Sequence, residues 1–119
     1  MNDTSTGSVQ DCVFCKIVAG EIPAKKEYED NDILVFRDIH PKATIHLLIV
    51  PKKHIEQFAD LVDDTWEIWL KMNKMAQELI ASFELRKVGY RLVVNGAGAA
   101  LIQHLHLHLL GEIEHTMDI

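Results

Sequence analysis

Residues 104–109, near the C-terminus, alternate histidine with leucine without interruption. Successive side chains of a β-strand point to opposite faces, so this pattern predicts a strand with three imidazoles on one face and three leucines on the other. Threonine, lysine or glutamate would serve an ordinary polar face as well, and chance rarely selects histidine three times. We expect the leucines to face a core and the imidazoles, about 7 Å apart by strand rise, to face a cleft or solvent.

The remaining hydrophobic pattern predicts an α+β sheet covered by one long helix. Strands are expected over residues 33–38, 44–50, 90–94 and 104–110, and residues 28–32 are typical of a strand end followed by a turn. The short connection between the first two of these strands favours antiparallel pairing. Residues 12–19 are expected to form one or two helical turns.

The long helix is expected from residue 64 to about residue 85, where apolar residues recur at spacings of three and four. Asp64 and Glu67 have the spacing of a capping box, with aspartate in place of the usual serine or threonine. One apolar stripe should pack against the leucines of the final strand. It comprises Trp66, Trp69, Met72, Met75, Ala76, Leu79 and Phe83.

Length and composition exclude several classes of protein. A chain of 119 residues predicts one compact domain, and we expect a disordered N-terminal tail over 1–11 before a domain over 12–119. No stretch approaches the ~20 apolar residues of a membrane span, and the N-terminus lacks a secretory pattern, so we expect a cytoplasmic protein with no membrane partner. A formal net charge of -6 argues against a nucleic-acid partner held by a broad phosphate-contact surface.

Two kinds of chemistry compete for the three histidines. Histidines two apart on one face can ligate a single ion, as in three-histidine zinc enzymes. Alternatively, a neutral imidazole is a nucleophile toward phosphorus or carbonyl carbon, and its neighbours can donate protons. The small-residue loop 96–100 directly precedes the histidines, and such loops let backbone N–H groups approach a phosphate without Cβ clashes. This neighbour favours a phosphorylated substrate.

Cys12 and Cys15 have the spacing of half a zinc site. Buried free thiols and a redox pair are the alternatives, whereas two cysteines make no disulfide framework. His54 follows a strand end, where it suits a loop ligand, and His46 is expected in a strand beside the final one, where it would orient the three histidines. Zinc requires two more ligands, which the sequence offers among His40, His46, His54, His104 and His115.

Several stretches carry a resemblance to a known family. They are CVFCKIVAGEIP at 12–23, YED at 28–30, VFRDIHP at 35–41, HLLIVPKKHI at 46–55, GYRLVVN at 89–95 and HLHLHLL at 104–110. Together they resemble the histidine triad (HIT) superfamily, and most closely its Hint-like branch of purine nucleotide phosphoramidases and hydrolases. The resemblance runs from residue 12 to about residue 111.

The resemblance implies a HIT-like fold, which is a five-stranded antiparallel sheet with one long helix and a short N-terminal helix, and it implies a homodimer. It also implies that His106 attacks the α-phosphorus of a purine nucleotide, such as an AMP derivative, and forms a nucleotidyl-histidine intermediate that water hydrolyses. The Nδ1–H of His106 must then be held by an acceptor, in the family a backbone carbonyl. His108 would contact the phosphate and assist the leaving group, while His104 and His46 would support the array.

The resemblance also assigns nucleotide contacts and a metal. Asp38 matches the ribose-binding carboxylate, and Asn95 matches a contact on the phosphate side. The positions that line the base pocket are matched by Phe14, Ile17, Phe36 and Ile39. Family members with the cysteine pair resemble binders of structural Zn²⁺, which would contribute folding free energy. Their ligands map onto Cys12, Cys15, His54 and His104.

The segment between Asn95 and the triad departs from the family pattern. The family has a Gly-rich loop in which Gln, then Ser or Thr, touches the phosphate. Here the loop is shorter, Leu101 lies near the hydroxyl position, and Gln103 would substitute from a shifted place. After the triad, the usual Gly-Gly-Arg is Gly-Glu-Ile at 111–113. Leu101 and the missing Gln-Ser motivate an alternative function, which is a nucleotide-binding or protein-interaction module with little or no turnover. A third hypothesis is a hydrolytic metalloenzyme whose ion is bound by the three histidines.

Overall fold

The structure is a computed structural model that describes residues 11–113. Within this range the strands are β1 (Lys26–Glu29), β2 (Ile33–Arg37), β3 (Ile45–Pro51), β4 (Tyr90–Val94) and β5 (Leu107–Gly111). They form one antiparallel sheet in the order β1-β2-β3-β5-β4, which confirms the predicted α+β class and the five strands. The predicted tail, apart from residue 11, lies outside the described residues, and so does His115.

Two α-helices cover opposite faces of this sheet. The long helix α2 (Trp66–Ser82) packs on one face, and the short helix α1 (Val13–Val18) packs on the other. Side chains of β2 and β3 alternate between these two cores, because successive residues of a strand face opposite ways. Short 3₁₀ turns lie at Phe58–Asp60 and Ala97–Ala99. Within residues 11–113, no helix has the length and hydropathy needed to cross a membrane.

The alternating segment delivers its leucines to the α2 face, as predicted. Leu105, Leu107 and Leu109 are all buried in the core beneath α2. The regular strand begins only at Leu107, however, so the prediction of a strand from residue 104 is wrong at its start. The physical reason is that the Leu105 N–H donates to the carbonyl of Ile55 at 2.6 Å, in a loop, rather than to a neighbouring strand. The segment stays extended enough to keep its alternation.

Helix α2 starts one residue later than a capping box at Asp64 would require. Its N-cap is Thr65, whose Oγ1 accepts a hydrogen bond from the Val62 N–H at 2.8 Å and donates to the Val62 carbonyl at 2.9 Å. The Thr65 carbonyl accepts the first helical hydrogen bond. The predicted capping box between Asp64 and Glu67 is therefore wrong, since the threonine side chain closes the preceding turn instead.

The buried stripe of α2 is also shifted relative to the prediction. Trp66 is 46% exposed, because the stripe turns toward the sheet only from the second helical turn onward. Trp69 and Phe83 are partly buried against the core. The residues of α2 that are buried are Met72, Met75, Ala76, Leu79 and Ile80. The stripe's C-terminal half was thus predicted correctly except for Ile80.

Candidate active site and metal cluster

The imidazole of His106 is held in one orientation by the backbone two residues earlier. Its Nδ1–H donates to the carbonyl oxygen of His104 at 2.7 Å. That bond places the ring proton on Nδ1 and leaves Nε2 with a free lone pair. Burial lowers the pKa of His106, so the imidazole is neutral near pH 7. The structure thus brings the predicted nucleophile to the required tautomer.

The prediction that the imidazoles face a cleft or solvent is wrong for one of the three, His104. His104 is fully buried and His106 is 5% exposed, whereas His108 is half-buried. Phe14 of α1 causes this burial, because its ring lies edge-on to His106 at 5.0 Å between centroids and to His104 at 5.8 Å. The histidine face is therefore covered by α1 at one end and open near His108.

His108 has the opposite tautomer to His106, and a chain of hydrogen bonds sets it. The Lys42 N–H donates to Nδ1 of His46 at 3.0 Å, which places the proton of that ring on Nε2. This Nε2–H then donates to Nδ1 of His108 at 2.9 Å, so His108 carries its own proton on Nε2. The ring centroids of His106 and His108 are 4.8 Å apart. One face of the sheet therefore presents the Nε2 lone pair of His106 beside the Nε2–H of His108.

The same histidines are held neutral by their surroundings. Burial, together with the neighbouring imidazoles of His106 and His46, lowers the pKa of His108 to about 4. Burial also lowers the pKa of His46, against the opposing charge of Asp38. Both rings therefore remain uncharged near pH 7, as the hydrogen-bond chain requires.

Asp38 closes the turn between β2 and β3 and also faces the histidines. Its Oδ1 accepts the His40 N–H at 2.8 Å, and its Oδ2 lies 3.5 Å from Nε2 of His46. Potential ligand atoms of Asp38, His46 and His108 lie within 4.8 Å of one another. A metal on Nε2 of His46 would need the proton on Nδ1, where the Lys42 N–H already points. The tautomers therefore disfavour an ion at this end of the triad.

A second cluster joins α1 to the start of the histidine segment. Sγ of Cys12 lies 3.2 Å from Nδ1 of His104, and Sγ of Cys15 lies 3.2 Å from Nδ1 of His54 and 3.5 Å from that of His104. The four ligand atoms all lie within 4.8 Å of one another, and both cysteines are free thiols. Two sulfurs and two imidazole nitrogens are a donor set that suits tetrahedral zinc.

His104 is oriented for ligation by its outer hydrogen bond. Its Nε2–H donates to the carbonyl of Pro51 at 2.8 Å, so the lone pair of Nδ1 points at the cysteines. Burial lowers the pKa of His104 to about 4. Burial and the neighbouring Cys12 thiol raise the pKa of Cys15 to about 12. Nε2 of His54 is buried and has no hydrogen-bond partner among residues 11–113. The residues present fit the predicted ion.

The residues predicted to bind the nucleotide are only partly brought together. Phe14, Ile17 and Phe36 are buried in one cluster on the histidine face, and the rings of Phe14 and Phe36 are 5.6 Å apart. Ile39 is instead 84% exposed in the turn after β2. Asn95, half-buried, follows β4 directly.

Gln103 is occupied within its own loop. Its side-chain amide donates to the carbonyls of Ala97 at 2.9 Å and Ala100 at 3.2 Å, and it thereby closes the shortened loop. Leu101 is 96% exposed on the same loop. Sequence reasoning did not identify the carbonyl of Pro51 or the N–H of Lys42, because a backbone group carries no residue-type signal.

Comparisons with known proteins agree with this architecture. The family described as "Scavenger mRNA decapping enzyme C-term binding" matches residues 11–118. An "Uncharacterized HIT-like protein" of Methanocaldococcus jannaschii is 41% identical over 105 residues, which are 87% of this chain and 80% of that protein. "Protein HitA" of Neisseria gonorrhoeae is 35% identical over 105 residues, which are 87% and 97% of the two chains.

Solved structures give the same result. A "HIT family hydrolase" from Legionella pneumophila Philadelphia 1 has 49% identity and a TM-score of 0.80, covering 84% of this chain and 91% of that one. A "HIT family hydrolase" from Clostridium thermocellum has 34% identity and a TM-score of 0.88, covering 94% and 99%. The likeness therefore extends over sequence and fold, and over nearly the full length of these proteins.

Proposed function

This chain belongs to the histidine triad (HIT) superfamily and has the fold of HIT family hydrolases, and from that premise we propose that it cleaves P–N or phosphoanhydride bonds at the α-phosphate of purine nucleotides. The observation that carries the proposal is the pair of opposite tautomers of His106 and His108 on one face. A lone pair beside an N–H donor is what displacement at phosphorus needs. The reaction would proceed through a nucleotidyl-histidine intermediate.

In the first step, Nε2 of His106 attacks the α-phosphorus, an N–P bond forms, and the bond to the leaving amine or phosphate breaks. The Nδ1–H of His106 remains hydrogen-bonded to the His104 carbonyl oxygen, and this bond stabilises the positive charge that the ring gains. The Nε2–H of His108 donates a hydrogen bond to the developing negative charge. A leaving amine takes its proton from solvent. Water then attacks the phosphorus, the P–Nε2 bond breaks, and the proton lost by the water passes to solvent. The monophosphate leaves, and His106 returns to its neutral Nδ1–H tautomer.

The nucleotide would lie across the histidine face from α1 toward Asp38. Phe14, Ile17 and Phe36 offer the apolar surface against which a purine packs. Oδ2 of Asp38 is turned toward the histidines, where it would accept a hydrogen bond from a ribose hydroxyl. Asn95 would contact the phosphate from the end of β4.

We also propose structural Zn²⁺ on Cys12, Cys15, His54 and His104. Bound zinc would supply no step of the reaction, but it would tie α1 to the segment that carries His106 and contribute folding free energy. The chain's own part is to hold the lone pairs of His104 and His54 toward the thiols. Because those thiols must stay reduced, we place the protein in the cytoplasm.

The exposed edge of the sheet supports a homodimer as the assembled form. Tyr90, Leu92 and Val94 of β4 are 47%, 40% and 38% exposed, and Leu92 lies opposite Leu109 on the face that α2 covers only in part. Edge strands leave backbone N–H and C=O groups unpaired, and an antiparallel pair of identical edges is self-complementary. We therefore propose that two copies join through β4.

Turnover of adenosine 5′-phosphoramidate by the wild type and by His106→Ala tests the main proposal. We expect the variant to lose turnover by a factor on the order of a thousand or more, because the covalent step loses its proposed nucleophile. An AMP adduct, detected by intact mass after an acid-free quench, should form on the wild type and be absent from the variant. His40→Ala changes an exposed histidine and is the matched control. Equal turnover by the wild type and His106→Ala would exclude His106 as the nucleophile.

A second function has a specific observation in its favour. The Gln103 amide is engaged by the carbonyls of its own loop, and Leu101 places an exposed apolar side chain where the family has a hydroxyl. A site without these phosphate contacts suits a nucleotide-binding or protein-interaction module with little turnover. Calorimetric binding of AMP without any product from the phosphoramidate over hours would favour this second function.

A further inference from the structure

Three exposed apolar side chains lie within nine residues of one another in the sequence, where the chain enters α2. Phe58, Val62 and Trp66 are 43%, 59% and 46% exposed. The Phe58 ring contacts Trp66 edge-on at 5.8 Å between centroids and Trp69 at 5.2 Å. Since Trp69 packs against the core beneath α2, the exposed rings are anchored from below and open above. We call these three residues and their flanking carboxylates the acidic aromatic surface.

The segment that carries these rings contains acidic residues and no basic residue other than histidine. Residues 54–70 contain no lysine or arginine. The acidic side chains in this segment are Glu56, Asp60, Asp63, Asp64 and Glu67. All but Glu56 are exposed, and within residues 11–113 none of the five forms an ion pair. Acidic residues in the first turn complement the dipole of α2, but Glu56 and Asp60 lie before the helix and have no such role.

The surface lies away from the proposed active site. Trp69 belongs to the core on the α2 face, whereas His106 and His108 lie on the α1 face of the sheet. A nucleotide bound at the histidines would therefore not cover Phe58 or Trp66. The acidic aromatic surface needs its own explanation, independent of the proposed function.

We propose that the acidic aromatic surface docks a partner protein through a segment in which lysines or arginines flank bulky apolar side chains, as on a basic amphipathic helix. Exposed aromatic side chains supply the apolar contact, and the unpaired carboxylates select cationic neighbours. A second copy of this chain is the wrong occupant, because a two-fold axis would bring like charges together. Single-stranded nucleic acid would stack on the rings, but the carboxylates repel its phosphates.

The probe is a fluorescein-labelled peptide of about 18 residues in which lysine and leucine form an amphipathic helix. It is added to the 119-residue protein in a buffer that contains zinc. Fluorescence anisotropy should report saturable binding, and raising the salt from about 0.05 M to about 0.5 M should weaken it. Charge reversal by Asp60→Lys with Asp63→Lys should raise Kd about tenfold or more. Val62→Ser, an exposed change that leaves folding intact, should weaken binding without changing its salt dependence.

Charge reversal elsewhere is the matched control. Glu21→Lys with Glu78→Lys alters net charge equally at exposed positions outside the surface and should leave Kd unchanged. The proposal is overturned if the control pair weakens binding as much as Asp60→Lys with Asp63→Lys. It is also overturned if a glutamate-for-lysine peptide binds equally well, or if no binding occurs at about 100 µM. Loss of self-association in the Asp60→Lys, Asp63→Lys variant would instead identify a second copy as the occupant.

Discussion

The carbonyl oxygen of His104 accepts the Nδ1–H of His106 at 2.7 Å, while the imidazole of His104 faces the thiols of Cys12 and Cys15. His104 therefore contributes its side chain to the Cys/His cluster and its backbone carbonyl to the orientation of the proposed nucleophile. Any displacement of this residue changes the direction in which the lone pair of His106 points. The Cys/His cluster is thus linked through His104 to the nitrogen proposed as nucleophile, although it takes no part in the proposed reaction.

Removal of the proposed zinc should destabilise the fold. A ligand present at about a thousandfold excess over its Kd stabilises the folded state by about 4 kcal/mol. At about 4 °C per kcal/mol for a domain of this size, chelation should lower Tm by roughly 15 °C. Cys15→Ser should lose the metal, and its Tm without chelator should be close to that of the chelated wild type. His106→Ala should retain one zinc per chain by metal analysis, and loss of zinc from this variant would place the ion on the triad instead.

Replacement of His46 tests the chain of hydrogen bonds that sets the tautomer of His108. His46→Leu removes the donor to Nδ1 of His108, so the proton of His108 is free to leave Nε2. We expect kcat for the phosphoramidate to fall by about tenfold to a hundredfold with little change in KM. His46→Gln keeps an N–H donor and should restore most of kcat. If the leucine and glutamine variants are equally impaired, His46 acts by packing alone.

The residue types alone predicted that the histidines and leucines of residues 104–109 lie on opposite faces of the segment. Alternation in an extended chain has a period of two whether or not a strand ladder forms, so Leu105 reaches the core although it precedes β5. The start of the ladder was not predictable, because the hydrogen bond of Leu105 goes to Ile55 in a distant loop. Such a partner depends on tertiary folding and leaves no local pattern.

The tautomers show the same division at the candidate site. Which histidines lie together follows from the sequence, but their proton positions depend on the N–H of Lys42 and the carbonyl of Pro51. Any residue type supplies those groups. The exposure of Ile39 was likewise not predictable, since the turn after β2 points it outward, although its position matches the base pocket of the family.

The buried histidines should make stability fall in mild acid. Burial lowers the pKa of His108 from 6.5 to about 4, so the unfolded chain binds a proton at higher pH than the folded chain does. The free energy of unfolding should therefore decrease as the pH falls from about 6.5 toward about 4. His46, whose pKa is lowered by the same burial, adds to this trend, while the charge of Asp38 opposes it.

Urea unfolding at several pH values between about 5 and about 6.5 measures this effect above the range in which carboxylates titrate. His108→Gln should show a smaller loss of stability across that range than the wild type. His40→Gln, which changes an exposed histidine, should follow the wild type. An unchanged slope in His108→Gln would mean that His108 is as easily protonated in the folded state as in the unfolded one.

Disruption of the β4 edge should separate the proposed dimer. Leu92→Asp places a carboxylate in the middle of the exposed apolar row of β4, where a second copy would remove it from water. A stable dimer needs an interface on the order of 1,000 Å² or more, and the row of β4 with the uncovered part of the α2 face is the apolar surface that supplies it. Sedimentation velocity should find a dimer for the wild type and a monomer for Leu92→Asp.

The matched control for the dimer is Leu101→Asp, which introduces the same charge at a 96% exposed leucine on the loop before β5. It should remain dimeric, and circular dichroism should show that both variants are folded. Because the ligands of the proposed zinc and the histidines of the proposed active site all lie within one chain, Leu92→Asp should still bind zinc and AMP. A wild-type monomer, or a Leu92→Asp variant that still sediments as a dimer, would exclude β4 as the joining edge.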